Sequence, residues 1–262
     1  MDAGAAAGPQ PAPAPFIAPA AWRAIDFISD LHLSELMPAT FAAFAEHLRH
    51  TEADAVFMLG DLFELWVGDD ARHEPFAQRC VQVLAETATR RVLAVMGGNR
   101  DFLMGPDLLA DCGARALPDP TLLEAFGQRV LLSHGDALCL ADRAYQAFRR
   151  QVRGPQWLAS FLARPLPERL ALAREIRQAS ETRRQFDGEG NADVDAEAAV
   201  SMLAQAQAPT LVHGHTHRPG SEHWHGGFER HVLSDWDLDS AARAEVLRLT
   251  AAGFSRIAPS RA

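Results

Sequence analysis

The stretch Leu211-Val212-His213-Gly214-His215-Thr216-His217 is a short apolar run that ends in three histidines at alternate positions. Alternate residues on an extended chain point to the same side, so His213, His215 and His217 are predicted to face one point. Histidine is the commonest metal ligand at neutral pH, and packing alone hardly explains three converging rings. Histidine-rich loops also occur on surfaces, so the prediction of a metal site depends on the rest of the chain.

Four earlier apolar runs also stop in residue types that bind metals. The runs cover residues 25–28, 55–59, 92–96 and 129–133, and they are followed by Asp30, His32, Asp61, Asn99 and His134. Helical spacing follows the first two runs, over 39–50 and 75–90. Strands that alternate with helices predict a mostly parallel sheet, in which sites form at the carboxyl ends of the strands. The sequence therefore predicts an α/β protein with a site where five strand ends meet.

The composition narrows the classes of function. Among 262 residues, 34 are acidic and 25 are basic, and the net charge of -9 argues against general nucleic-acid binding. Cys80, Cys112 and Cys139 are scattered and form no CxxC pair, which fits a reducing compartment. No apolar run reaches about 18 residues, so no membrane span is predicted. We expect the protein in the cytoplasm or attached to a membrane from the cytoplasmic side.

Two segments depart from the alternating pattern. Residues 1–21 are rich in alanine and proline and lack a basic start, which predicts a disordered tail rather than a secretory signal. Within the domain predicted over 22–262, residues 141–207 have helical spacing and predict a helical cap inserted over the sheet. Nine arginines and three glutamates lie between Arg149 and Arg184, beside apolar residues such as Trp157. Such a face is typical of an interfacial segment, or of an ordinary amphipathic insert packed on its own domain.

The strand ends supply seven candidate metal ligands: Asp30, His32, Asp61, Asn99, His134, His215 and His217. Carboxylate, amide and imidazole together suit manganese, iron or zinc. Seven ligands are too many for one tetrahedral site and about right for two ions that share a carboxylate. Each residue alone has a simpler explanation, as a helix cap, a solvated loop histidine or a turn asparagine. Their common placement favours the metal site.

The same strand ends resemble the signature motifs of the calcineurin-like metallophosphoesterases: Asp30-x-His32, Gly60-Asp61, Gly98-Asn99-Arg100-Asp101, His134-Gly135 and Gly214-His215-Thr216-His217. The resemblance implies a four-layered αββα sandwich and a pair of metal ions. By this resemblance one ion would be held by Asp30, His32, Asp61 and His217. The other would be held by Asn99, His134 and His215, with Asp61 bridging the two.

Longer motifs resemble a narrower family, the UDP-2,3-diacylglucosamine hydrolases of lipid A biosynthesis. These motifs are Gly60-Asp61-Leu62-Phe63-Glu64-x-Trp66-x-Gly68-Asp69-Asp70, Gly98-Asn99-Arg100-Asp101-Phe102-Leu103, His134-Gly135-Asp136 and His213-Gly214-His215-Thr216-His217-Arg218-Pro219. Most metallophosphoesterases have a proton-donating histidine where this chain has Arg100. A guanidinium contacts two phosphate oxygens at once, and a phosphate leaving group needs a proton donor less than an alkoxide does. Arginine therefore suits a diphosphate substrate.

The narrower resemblance also implies the reaction, the cofactor and the location. Water activated by two metal ions, expected to be Mn²⁺, would attack the α-phosphorus of UDP-2,3-diacylglucosamine and release UMP and 2,3-diacylglucosamine 1-phosphate. Asn99 and Arg100 would be the catalytic residues. The helical insert would receive the acyl chains and face the cytoplasmic side of the cell inner membrane, where the protein is expected to sit peripherally as a monomer.

Substrate contacts follow from the same resemblance at Asn99, Arg100, Asp142, Ser180 and His215. Tyr145, one helical turn after Asp142, is expected to join them. After Ser180 the family usually has asparagine and then lysine, whereas this chain has Arg184 and Asp187. This departure favours a second hypothesis, a related di-metal hydrolase that acts on another nucleotide diphosphate. A third hypothesis, an inactive scaffold, is opposed by the presence of all seven candidate ligands.

Overall fold

The computed structural model describes residues 15–187 and 192–261, with the side chains of 15–179 and 192–261. The described strands, in chain order, are β1 (Phe16–Ile17), β2 (Ala24–Ile28), β3 (Ala55–Leu59), β4 (Val92–Met96), β5 (Ala114–Leu117), β6 (Thr121–Ala125), β7 (Gln128–Ser133), β8 (Thr210–His213), β9 (Gly220–Trp224), β10 (Phe228–Val232), β11 (Val246–Thr250) and β12 (Gly253–Ile257). The described helices are α1 (Pro38–His50), α2 (Pro75–Ala88), α3 (Pro106–Cys112), α4 (Arg143–Val152), α5 (Pro155–Leu162), α6 (Leu166–Asp187) and α7 (Ala196–Ala206).

The strands form two six-stranded sheets. The first sheet has the order β12-β11-β2-β3-β4-β5 and the second has the order β1-β6-β7-β8-β10-β9. Strands β2, β3, β4 and β5 pair in parallel, as do β7, β8 and β10. The carboxyl ends of β2, β3 and β4 therefore lie side by side, and the ends of β7 and β8 lie side by side in the second sheet. The strand pattern alone predicted one sheet; the two sheets are those that the family resemblance implied.

Apolar packing arranges the sheets and helices in layers. Strand β3 is buried along its whole length, and its successive side chains face opposite ways. Met58 packs with α1 and α2, whereas Phe57 packs against the second sheet. On the outer face of the second sheet, Leu211 of β8 packs with Leu203 of α7. The order helices, sheet, sheet, helix is the predicted αββα sandwich.

Helices α4, α5 and α6, here called the cap helices, follow the end of β7. Trp157 and Phe161 of α5 stack with ring centroids 4.6 Å apart, and Phe161 is buried in the core between the first sheet and its helices. Arg169 of α6 is also buried, donates from Nη1 to the Val67 carbonyl at 2.6 Å and pairs with Asp70. These contacts fix the cap helices to the loop after β3, on the side of the strand ends. Helix α7 lies within the predicted insert but forms the outer layer of the sandwich instead.

The prediction for the N-terminal segment is wrong in part. Phe16–Ile17 forms β1, which pairs in parallel with β6, although it lies in the 1–21 stretch predicted to be disordered. The Phe16 ring meets Phe57 edge-on with centroids 5.0 Å apart, and such contacts offset the entropy lost on ordering. The alanine and proline content obscured this apolar pair of residues. Residues 1–14 of the predicted tail lie outside the described part of the chain.

Candidate metal centre

The strand-end side chains come together in two overlapping groups. Ligand atoms of Asp30, His32 and His217 lie within 4.8 Å of one another, and so do those of Asp30, Asp61 and His134. Asp30 therefore belongs to both groups, whereas the resemblance assigns the bridging position to Asp61. The bridging role of Asp61 stays a prediction.

Asn99 and His215 lie at the same place. Oδ1 of Asn99 is 3.0 Å from Nε2 of His134 and 2.8 Å from Nδ1 of His215. The rings of His134 and His215 meet edge-on with centroids 5.1 Å apart. The structure thus brings all seven candidate ligands to one site.

The backbone turns sharply at most of these residues. Five of the seven candidates have a positive φ, between 49° and 67°: Asp30, His32, Asp61, His215 and His217. Residues other than glycine rarely adopt this left-handed conformation, although Asp and His do so more readily than most. These turns lie two to four residues after the ends of the buried strands β2, β3 and β8.

His213 does not join the site, so the prediction that three alternate histidines face one point is wrong for this residue. Strand β8 ends at His213, and the chain then turns at His215 and His217. The rule that alternate residues share a side holds only for extended backbone. His213 is fully buried, and its Nε2 accepts a hydrogen bond from Nε of Arg230 at 2.9 Å.

The donor atoms fit divalent cations. Nε2 of His32 and Nε2 of His217 are only 3.2 Å apart, and Nδ1 of His32 is buried without a hydrogen-bond partner among the described residues. Asp30 and Asp61 are 0% and 2% exposed. Carboxylates removed from water are costly unless positive charge lies nearby. Mixed carboxylate, amide and imidazole donors suit borderline-hard divalent ions, and the overlapping groups fit two of them.

The charges of the site act on one another. Burial would raise the pKa of Asp30, but the hydrogen bond from His217 and the charge of His134 hold that pKa well below its usual value. Burial opposes protonation of His134, yet Asp61 and Asp30 raise its pKa to about 9. Burial and then the charge of His134 lower the pKa of His215 to about 3. A ligand histidine must be neutral, so we expect metal binding at His134 to release a proton.

Arg100 lies against this centre and is held by a residue that the sequence did not single out. Its backbone N–H donates to Oδ1 of Asp61 at 2.9 Å, and its Nε lies 3.4 Å from Oδ2 of Asp61. Its Nη1 pairs with Glu64, whose other oxygen pairs with Nε of Arg177 on α6. One carboxylate thus holds a guanidinium from the sandwich and another from the cap helices. Glu64 lies in the motif that begins at Gly60, but no sequence signal points to its pairing with Arg177.

Asp136 is a second residue whose role the sequence did not reveal. It is fully buried and accepts hydrogen bonds from the Tyr145 hydroxyl at 2.5 Å and from Nε of Arg149 at 2.7 Å. The Tyr145 ring stacks on His215 with centroids 5.9 Å apart. Asp136 therefore fixes α4 against the metal centre. Its position two residues after His134 was the only available signal.

Four of the five predicted substrate contacts lie in the part of the chain whose side chains the structure describes. Asn99, Arg100 and His215 lie at the metal centre. Asp142 caps the start of α4, and its Oδ1 accepts a hydrogen bond from the Tyr145 backbone N–H at 2.8 Å. Ser180, together with Arg184 and Asp187, lies outside the residues whose side chains the structure describes.

A cavity of about 430 Å³ separates the sandwich from the cap helices. Its polar lining includes Asn99, Arg100 and Arg177, and its apolar lining includes side chains such as Trp157 and Phe161. The apolar cavity therefore adjoins the metal centre at Asn99 and Arg100.

Comparison with known proteins defines the class. Residues 24–219 match the calcineurin-like phosphoesterase model. With the αββα sandwich and its seven converging donors, this match shows that the chain belongs to the calcineurin-like phosphoesterase family.

Individual relatives of this chain belong to a narrower family of hydrolases. The UDP-2,3-diacylglucosamine hydrolases of Chromobacterium violaceum and Ralstonia nicotianae are each 49% identical to this chain. The matches cover 81% and 85% of this chain and 90% and 88% of those relatives. The hydrolase of the same name from Aromatoleum aromaticum is 44% identical, over 82% of this chain and 89% of the relative. The narrower resemblance that the motifs carried is confirmed.

Proposed function

We propose that this chain hydrolyses the pyrophosphate bond of UDP-2,3-diacylglucosamine to UMP and 2,3-diacylglucosamine 1-phosphate, a step of lipid A biosynthesis. The names of the relatives support this substrate. The observation that carries the proposal is the cavity that joins polar Asn99 and Arg100 to an apolar lining from the cap helices. The proposed substrate has the same division, because its diphosphate is polar and its acyl chains are apolar.

The bonds change as follows in the proposed reaction. The oxygen of water bonds to the α-phosphorus, the bond from the α-phosphorus to the bridging oxygen breaks, and the sugar phosphate leaves with that oxygen. The attacking water loses a proton to solvent. A phosphate leaving group is stable as an anion, so it does not require a proton donor. We propose that Arg100 neutralises charge on the diphosphate through two parallel hydrogen bonds. We propose that Asn99 and His215 contact the same diphosphate.

We propose that Asp30, His32, Asp61 and His217 hold one divalent ion, and that Asn99, His134 and His215 hold a second with Asp61 shared. When bound, such ions supply Lewis-acid stabilisation of negative charge and lower the pKa of water. We propose Mn²⁺ as the ion, because two carboxylate or amide oxygens and two imidazoles would bind each ion. This set suits a harder ion than zinc–thiolate sites do.

We further propose that the protein, as a monomer, binds the cytoplasmic face of the inner membrane peripherally. Among the described residues, no helix is long and apolar enough to cross a membrane. Phe148 and Leu162 of the cap helices are exposed at 37% and 45%. Arg150 of α4, Arg174 of α6 and Arg164, which lies between α5 and α6, are exposed as well. Exposed apolar and basic side chains in one segment suit an anionic lipid surface.

The positive charge of the cap helices is not all available to lipid. Arg149 and Arg153 pair with Asp136, and Arg169 pairs with Asp70. The sequence predicted a basic interfacial segment and an ordinary packed insert as alternatives. The structure contains features of both, because some arginines bind the sandwich and others are exposed.

Vesicle flotation tests the membrane proposal. Wild-type protein is expected to float with vesicles that contain an anionic lipid and to be released by salt, which screens exposed charges. Phe148→Asp and Leu162→Asp should reduce flotation. Ile17→Asp, which changes an apolar side chain that is 67% exposed on β1, is the matched control. Equal flotation of all four proteins would contradict the proposed surface.

Product analysis tests the reaction. Purified protein is incubated with UDP-2,3-diacylglucosamine and Mn²⁺ in ¹⁸O-labelled water. We expect UMP that carries the label, because the α-phosphorus is the atom attacked. Turnover of soluble nucleotide diphosphates with the lipid substrate untouched would favour the related hydrolase instead, and binding of metal without any turnover would favour the scaffold.

A further inference from the structure

Arg230 is a buried arginine on β10, next to the strand end that carries the metal ligands. It is 3% exposed. Its Nη1 donates to Oδ2 of Asp193 at 3.2 Å and to Oε2 of Glu222 at 3.3 Å, and its Nη2 pairs with the other oxygen of Asp193. The guanidinium carbon lies 5.6 Å from the centroid of the Trp224 ring. A buried guanidinium is tolerated when its donors are paired, and the remaining donor, Nε, points at His213.

The hydrogen bond from Arg230 fixes the tautomer of His213. Arginine has donors only, so Nε2 of His213, 2.9 Å from Nε of Arg230, must be the unprotonated acceptor. The ring proton is therefore on Nδ1, which lies 2.7 Å from the carbonyl oxygen of Gly214 and donates to it. His213 thus relays a directed hydrogen bond from the guanidinium to the backbone of the metal-ligand loop.

The Gly214 carbonyl and the His215 N–H belong to one planar peptide unit. On its other side, the His215 N–H donates to the Asp30 carboxylate at 2.9 and 3.1 Å. The unit is therefore held from both sides, by His213 and by a candidate metal ligand. A Cβ on Gly214 would lie 2.3 Å from Oδ2 of Asp30, so only glycine allows this close approach.

On the side away from His213, Arg230 contacts the segment between the cap helices and α7. Asp193 lies in this segment, and its Oδ1 also accepts the Val194 N–H at 2.7 Å. Two residues further on, the Asp195 N–H donates to the Leu138 carbonyl at 2.9 Å, and the Asp195 side chain caps α7. The ion pair between Asp193 and Arg230 thus anchors this segment to the second sheet.

We propose that Arg230 and His213 are positioning residues. They connect Asp193, which lies between the cap helices and α7, to the peptide unit that orients His215. The inference rests on the proposed metal centre but not on the proposed substrate. A merely structural ion pair would affect the stability of the fold and leave metal affinity unchanged. Metal affinity is therefore the property that distinguishes the two roles.

The experiment measures Mn²⁺ binding to the metal-free full chain by calorimetry. His213→Phe keeps a ring but removes both hydrogen bonds, and we expect it to weaken Mn²⁺ binding about 10- to 100-fold, the usual effect of removing a partner of a ligand. His213→Gln keeps one acceptor and one donor, and it should bind within about threefold of wild type. Arg230→Met and Asp193→Asn should weaken binding in the same direction as His213→Phe.

Arg248→Met is the matched control. Arg248 donates to the buried Asp26 from Nε at 2.7 Å and from Nη2 at 2.9 Å, beside α1 rather than at a strand end. This variant should lower the melting temperature and leave Mn²⁺ affinity unchanged. If Arg230→Met does not fold, Arg230→Lys replaces it, because lysine keeps the charge near Asp193 but loses the donor to His213.

Mn²⁺ affinities of His213→Phe and the Arg230 variant within about twofold of wild type would overturn the inference. If only Asp193→Asn kept the Mn²⁺ affinity of wild type, the proposed connection from His213 and Arg230 to Asp193 would be overturned. A wild-type chain that binds no Mn²⁺ would overturn the proposed metal centre as well, so the two failures are distinguishable.

Discussion

His47 is predicted to couple the stability of the fold to pH. It lies fully buried on α1, where its Nδ1 accepts the Ser260 backbone N–H at 3.1 Å and its Nε2 is 3.4 Å from Oδ2 of Asp26. Because Nδ1 accepts a hydrogen bond, the ring is neutral in the folded protein. Burial, opposed in part by the charge of Asp26, lowers the pKa of His47 from 6.5 to about 4.

The size and sign of the effect follow from this pKa. Between pH 6.5 and about 4 the unfolded chain binds a proton at His47 that the folded chain does not. Each pH unit of fall in this window lowers the free energy of unfolding by about 1.4 kcal/mol, a total of roughly 3 kcal/mol. The contribution is complete above the unfolded pKa, is lost as the pH falls through the folded pKa, and changes no further below it.

Urea unfolding of wild type and His47→Gln, with a chelator present, measures this contribution. Glutamine does not titrate, so the difference in free energy of unfolding between the two proteins should shift in favour of the variant as the pH falls from about 7 to 4. His225→Gln, whose side chain is 68% exposed, controls for the loss of a histidine elsewhere. Parallel stability curves for wild type and His47→Gln would refute the reasoning.

Three further predictions concern the metal centre. Asp61→Ala should abolish hydrolysis and lower metal content, because it removes the predicted shared ligand; activity within about tenfold of wild type would contradict sharing. Arg100→Ala should lower kcat about 100- to 1,000-fold with unchanged metal content by elemental analysis, and loss of metal would mean that Arg100 supports the ligands instead. Gly98→Ala places a Cβ 2.1 Å from Oδ1 of Asp61 and should weaken metal binding in calorimetry, whereas Gly220→Ala, with its nearest contact at 4.0 Å, should not.

The strands that carry the site were predictable because they are buried. Strand β3, for example, is a continuous apolar run and ends directly before Gly60 and Asp61. Strand β9 was not predicted, because Gly220–Trp224 is an exposed edge strand whose side chains are mostly polar. Edge strands bury one face at most, so they lack the apolar run that identifies a central strand. The fold was therefore predictable at its centre and not at its edges.

The site was predictable as a set of ligands and not as a network. Each ligand follows a strand end and could be read from local sequence. The exclusion of His213 depends on a backbone turn that the residue types do not reveal. The pairs Glu64–Arg177 and Arg230–Asp193 join segments far apart in the chain. Such contacts depend on how the helices after β7 pack on the sandwich, and the spacing of residues within one segment does not predict that packing.

The left-handed turns at Asp30, His32, Asp61, His215 and His217 make the functional positions a weak point of the fold. Strained backbone of this kind costs on the order of 1–3 kcal/mol per residue. A laboratory selection for heat resistance alone would therefore favour asparagine or glycine at these positions, since both tolerate the turn and, at Asp30 and Asp61, both remove a buried charge. Variants chosen in that way would be more stable to heat but would lose candidate metal ligands. A mutant library for thermal stabilisation therefore has to leave these five positions unchanged.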